Sequence, residues 1–148
     1  MKKIIIGLVL GSVLLVNTAF AANSDNVTEK VAAAFKHEFV QAKEVSWSKS
    51  DNYFKAVFKM NDDVLTAYFS EEGELMGVIR NLLSTELPIS LQTSLRKSYD
   101  GYWISDLFEY AKQDNSGYFI TLENAGERIT LQATDGRNWT LYQKTKKQ

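Results

Sequence analysis

Shifted by 64 residues against itself, the chain meets its own apolar pattern. Val27, Val31, Phe35 and Phe39 fall on Leu91, Leu95, Tyr99 and Trp103. Phe54, Ala56 and Phe58 fall on Tyr118, Ile120 and Leu122, and Leu65, Ala67 and Phe69 on Ile129, Leu131 and Ala133. Leu75 meets Trp139, and Gly77 lies opposite Leu141. Chance alternation aligns strands with strands, but not helical and strand periods together at one offset. The pattern predicts an α+β chain built as a tandem repeat of one helix plus about four antiparallel strands. Repeat 1 covers about 24–84 and repeat 2 about 85–148. The segments around Val45-Ser46-Trp47 and Ile104 to Tyr110 fit the offset poorly, so the repeats are expected to differ there.

Local signals place the elements. Val27, Val31, Ala34, Phe35 and Phe39 line one helical face, with Asn26 as N-cap and Glu29 as its reciprocal acid. A second helix is predicted from Pro88, with Leu91, Leu95 and Tyr99 on its stripe and Asp100-Gly101 at its end. The strands alternate with period two between turn sequences such as Asn61-Asp62-Asp63, Glu71-Glu72-Gly73, Asn115-Ser116-Gly117, Asn124-Ala125-Gly126 and Asp135-Gly136.

Met1-Lys2-Lys3, the apolar run Ile4 to Val16 and Ala19-Phe20-Ala21 read as a signal peptide, residues 1–21, cut after Ala21. The apolar run is too short for a comfortable membrane span, and no cysteine follows it to carry a lipid. The mature domain, 22–148, is expected to be exported, periplasmic or secreted from a bacterium, with no membrane span. Cleavage leaves 127 of the 148 residues, with 15 basic against 18 acidic groups because Lys2 and Lys3 leave. That balance carries no electrostatic footprint for nucleic acid or an anionic membrane. With 45% hydrophobic residues and a single proline the chain can bury a core. The absence of cysteine and the single histidine exclude disulfide scaffolds, thiolate metal sites and cysteine nucleophiles, and no cofactor is expected.

In order and spacing, several motifs resemble the secreted PepSY-like family, described as similar to β-lactamase-inhibitor proteins. They are Phe35-x-x-x-Phe39, Val45-Ser46-Trp47, Tyr53-x-x-Ala56-x-Phe58, Ala67-Tyr68-Phe69 with Gly73-Glu74-Leu75, Leu87-Pro88, Tyr99-x-Gly101-Tyr102 and Asp135-Gly136. Val40 departs from the pattern, where the family often has proline. The resemblance covers essentially the mature chain. It implies helices packed on one side of a continuous antiparallel sheet, an open opposite face, and a binding or inhibitory module rather than an enzyme.

The candidate catalytic groups are thin. His37 lies off the apolar stripe beside Glu38, and no G-x-S-x-G nucleophile motif accompanies it, so it reads as a solvated helix residue. Asp62-Asp63 and Glu71-Glu72-Glu74 lack the spacing of a calcium loop and coincide with predicted hairpin tips. The sequons at Asn26 and Asn138 are chance matches beside a bacterial leader, and Lys144 to Lys147 form a short solvated tail. By alternation Phe54, Phe58, Phe69, Tyr118 and Trp139 face the helices. Tyr53, Tyr68 and Tyr142 then face the other way, with Lys55, Val57, Met76, Val78, Arg80 and Arg128. Tyrosine, methionine and arginine on an open face make the composition of a recognition surface; the plain alternative is an ordinary solvated sheet. The expected function is non-enzymatic recognition of a protein or peptide through Tyr53, Lys55, Tyr68, Met76, Arg80, Arg128 and Tyr142, with inhibition as one form of it. The alternative is a carrier of a small apolar ligand between sheet and helices. A carrier needs a void, and the apolar positions are large enough to fill the core.

Overall fold

The computed structural model describes residues 27–113 and 115–147. The chain runs α1 (Glu29–Glu38), β1 (Lys43–Ser50), β2 (Tyr53–Met60), β3 (Asp63–Phe69) and β4 (Leu75–Asn81). A single 3-10 turn (Ser84–Glu86) leads into α2 (Ile89–Ser98), β5 (Trp103–Lys112), β6 (Asn115–Glu123), β7 (Glu127–Ala133) and β8 (Thr140–Lys146). All eight strands form one antiparallel sheet in chain order. Asn61 and Asp62 take left-handed backbone, φ 52° and 70°, the two-residue turn that matches the twist of the flanking strands β2 and β3. The proposed leader lies outside the described residues, as does Asn26. Thr28, not Asn26, caps α1, its Oγ1 accepting from the Val31 N–H at 3.3 Å.

Directly paired residues share a face of the sheet, and one row of pairs crosses its centre: Leu65, Arg80, Glu109, Tyr118 and Ala133. Leu65 packs in the core beneath α1 and Ala133 in the core beneath α2. Both helices therefore cover the same face. Under α1, Val31 and Phe35 meet Phe54, Ala56, Phe58, Ala67 and Phe69. Under α2, Leu91 meets Leu107, Ile120, Leu122, Ile129 and Leu131, with Leu82 and Leu87 closing the approach. Each such large side chain contributes roughly 1.5–3 kcal/mol by leaving water.

The helices and strands do not share one offset. The helices start at residues 29 and 89 and end at 38 and 98, a spacing of 60. The amides of Phe39 and Tyr99 close the two helices on Phe35 and Leu95. The expected match of Phe35 with Tyr99, and of Phe39 with Trp103, is one helical turn out. Trp103 belongs to β5 and is half exposed. A four-residue slip leaves an amphipathic stripe nearly in place, which is why the pattern tolerated it. From β2 to β6 and from β3 to β7 the spacing is 64, because one hairpin is longer; between β4 and β8 it is 63 before returning to 64, because the bulges fall at different places. After the matching pairs Lys49–Phe54 and Glu109–Tyr118, the first hairpin adds Ser50–Tyr53. The second adds Tyr110–Gly117, Ala111–Ser116 and Lys112–Asn115.

Candidate functional site

The face of the sheet that no described residue covers gathers most of its aromatic groups along the middle strands. Tyr53 on β2 and Tyr68 on β3 meet edge to face at 5.7 Å between centroids. Lys55 pairs across the strands with Tyr68, and Tyr68 in turn with Gly77. Gly77 has no side chain, so the surface dips there. A Cβ would come within 3.3 Å of the Ala111 carbonyl. The depression, about 400 Å³, is bordered by Tyr53, Tyr68, Met76, Ile79, Tyr110 and Lys112. Burial, and secondarily the neighbouring Tyr53, pushes the Tyr68 hydroxyl above its ordinary value, so the Tyr68 phenol stays a neutral donor at physiological pH.

The aromatic surface continues onto the second half. Phe119 lies 5.5 Å from Phe108, 5.3 Å from Tyr110 and 5.1 Å from Tyr142. Gln132 Nε2 donates to the Tyr110 hydroxyl at 3.1 Å. The Tyr110 ring rests on Gly117, where an added Cβ would lie 3.0 Å from that ring and 2.4 Å from the Ala133 carbonyl. No side chain other than hydrogen fits, and the tyrosine covers the backbone that glycine leaves bare. Beyond this patch Arg128 is held by Glu123 at 3.0 Å, and Glu123 also takes Lys147 at 2.7 Å. The bond from Lys147, with a smaller one from Ser105, holds the Glu123 carboxyl below its ordinary value.

Of the residues expected on this face, Tyr53, Lys55, Tyr68, Met76, Arg128 and Tyr142 are there. Tyr53, Tyr68 and Met76 border one depression, Tyr142 joins the neighbouring aromatic patch, and Arg128 stands apart in its ion pair. Arg80 and Val78 are not. Phe69 pairs with Leu75 while Tyr68 pairs with Gly77, leaving Met76 as the extra residue of a bulge. Leu75 and Val78 both pack toward α1, and strict alternation fails between them. Arg80 consequently points to the helix side, in the seam between the two cores. Its Nε and Nη2 donate to Glu109 at 3.3 and 3.0 Å and its Nη1 to Asp63 at 3.4 Å, with Glu86 at 3.7 Å. The bond to Glu109 raises its already high pKa, so the charge is fixed and structural. Tyr142 is also the extra residue of a bulge, between the pairs Thr130–Gln143 and Leu131–Leu141.

Phe108, Tyr110, Phe119 and Lys112 were missed. With Tyr118, Ile120 and Leu122 inward, alternation already turned Phe119 outward. Phe108 and Tyr110 needed the β5 pairing, which the 64-residue offset misplaced. His37 is exposed, with its Nδ1 3.3 Å from the Glu38 carboxylate. Among the described residues no group of three or more histidine, aspartate or glutamate side chains is placed to hold a metal. No helix among them is long and apolar enough to cross a membrane.

No family model matches the chain, and no curated relative matches it. Solved structures do. A BLIP-like protein from Bacteroides fragilis superposes with a TM-score of 0.70 at 15% identity, covering 81% of this chain and 86% of that one. A DUF2874 family protein from Bacteroides ovatus gives 0.72 at 18% identity over 82% and 89%. A protein from Bacteroides eggerthii with a provisional periplasmic assignment gives 0.68 at 16% over 81% and 88%. The architecture of the described residues is thus the BLIP-like one: two helices on a single open eight-stranded antiparallel sheet. At these identities the likeness is one of fold, and the PepSY-like part of the resemblance rests on the sequence motifs alone.

Proposed function

We propose that the protein is an exported, non-enzymatic binding module that recognises a protein or peptide through the open face of its sheet. The observation that carries this reading is the aromatic surface running from Tyr53 and Tyr68 through Tyr110 to Phe119 and Tyr142, bare of any covering element among the described residues. Aromatic side chains partly freed from solvent, beside lysines, supply large contact area at low entropic cost. Lys55, Lys112 and Met76 border it, and Arg128 lies on the same face beyond it; Arg80 is left out because it serves the seam between the cores. Export with cleavage after Ala21, a mature domain of 22–148 and a periplasmic site of action agree with the leader sequence and with the provisional assignment of one structural relative. Duplication of an ancestral unit at about 24–84 and 85–148 is supported by the two runs of helix and four strands and by the matching helix ends.

The test compares capture by the wild type, by the double variant Tyr53→Ala/Tyr68→Ala and by His37→Ala from periplasmic extract, with proteins and small molecules identified by mass spectrometry. The expected result is a partner held by wild type and by His37→Ala, with affinity for the double variant at least about 30-fold lower, the 2 kcal/mol of a strong aromatic anchor. Equal binding by a folded double variant would overturn the proposal.

A further inference from the structure

We infer a second ligand site, on the opposite side of the sheet: a cleft at the C-terminal end of α2 that takes a small aromatic molecule bearing a hydrogen-bond acceptor, such as an aromatic carboxylate. The argument comes from the first half. There Phe35, Phe39 and Phe58 meet one another at 5.2, 5.0 and 4.7 Å between centroids and fill the space between helix end and sheet. The corresponding residues, 60 positions on for the helix and 64 for the strand, are Leu95, Tyr99 and Leu122. All three line a cleft of about 310 Å³. Two rings have become leucines, and the third has turned to meet Tyr102 at 5.8 Å. The volume falls at the low end of the roughly 300–1,000 Å³ typical of small-molecule sites.

The rim sets the chemistry. Ser84, Thr85 and Arg96 line the cleft, residues that carry two hydroxyls and a guanidinium, and Arg96 has no ion-pair partner among the described residues. Against these donors stands one carboxylate, Asp100. The other nearby acceptors are engaged: Glu127 takes the Tyr102 hydroxyl and Lys144, and Glu86 takes the Leu83 amide. The Gln92 amide is spent on the Thr85 and Leu87 carbonyls, which fixes the wall. A ring seated where the first half places its own phenylalanines, with an acceptor toward Ser84, Thr85 and Arg96, satisfies both parts of the cleft. This site does not depend on the open face being an interaction surface.

The experiment is an NMR titration of the full mature chain with naphthoate, with naphthalene methanol as the probe lacking the carboxylate. Saturable shifts confined to Ser84–Glu86, Leu95–Tyr102, Ile104 and Leu122 are expected, with naphthoate bound at least threefold more tightly. Leu122→Phe, which installs the ring of the first half, should weaken binding at least tenfold. Leu95→Phe, checked for folding by its amide spectrum, gives the same readout if Leu122→Phe is unstable. Tyr53→Ala/Tyr68→Ala should leave naphthoate binding unchanged. Absence of saturable shifts, shifts centred on the open face, or undiminished binding to a folded plugged variant would each overturn the site. Equal affinity for the two probes would overturn its acceptor specificity.

Discussion

The two halves of the sheet solve one packing problem with different side chains. Under α1, rings from the helix and flanking strands, Phe35, Phe39, Trp47, Phe58 and Phe69, lie over small sheet residues, Ala56 and Ala67, both fully buried. Under α2 the positions in the same places carry Leu95, Tyr99, Leu107, Leu122 and Ala133, and Ile120 and Leu131 stand where the first half has its two alanines. Bulk lies in the middle of the sheet under α2 and in the rings around the helix under α1. Trp139 makes up part of the remainder and ties β8 to the helix by donating from Nε1 to the Leu91 carbonyl at 3.2 Å. A core tolerates such redistribution when total volume and pattern are kept, but local fit then differs from place to place. The first half closes tightly around its rings; the second keeps an opening beside α2.

That contrast is broken or sharpened by mutation. The largest effect is expected from Phe58→Ala, at about 3–5 kcal/mol, since it empties a site walled by two other rings. Leu122→Ala should cost about 2–3 kcal/mol, because its neighbours already border an opening and fewer contacts are lost. Chemical denaturation of both variants decides the point: equal or reversed losses would show that the halves are packed alike.

Next in size is the seam. Arg80→Ala should cost about 1 kcal/mol, as loss of a partly exposed network does, and should leave partner binding at the open face unchanged. A variant with intact stability but impaired binding would put Arg80 back on the recognition surface.

Acid should separate the halves further. Glu123, Glu127 and Asp135 all lie in the second half with carboxyls held below their ordinary values, Glu123 by Lys147, Glu127 by Lys144, and Asp135 by the Arg137 and Asn138 amides. A carboxyl lowered in the folded state adds stability above its unfolded pKa and loses it as pH falls through the folded one. Below the ordinary glutamate value of 4.5, amide exchange is therefore expected to rise first in β6 to β8 and later in β1 to β3. The smallest effects belong to the exposed face of α1. Lys36→Ala should change stability by no more than roughly 0.5 kcal/mol, and His37→Ala is expected to be equally silent in a thermal melt.

Much of this architecture was legible in the residue pattern, and the places where legibility failed are instructive. Strand and turn positions followed from alternation and from Asn-Asp and Asp-Gly sequences, because a strand's two faces and a tight turn's left-handed residues are local requirements. The same alternation turned Tyr53, Lys55 and Tyr68 to the open face. Arg80 escaped it because a bulge is a property of a pair: Met76 is extra only in relation to Tyr68 and Phe69 on the neighbouring strand. The helix match slipped by one turn because apolar residues at Val27, Val31, Phe35 and Phe39 look alike under a shift of four. Only the closing hydrogen bonds to Phe35 and Leu95 settle the register.

The sequence by itself determined the class of fold, the strand phases away from bulges, the two helices and the absence of any disulfide framework. Those depend on periodicity and composition, which each segment carries alone. Tertiary structure decided that Phe108, Tyr110, Phe119 and Tyr142 share one patch, that Arg80 bridges the two cores, and that Leu95, Tyr99 and Leu122 leave a cleft. Each of these depends on which strand or helix lies alongside and in what register, and on whether neighbouring side chains fill the space between. That information arises only when distant segments meet.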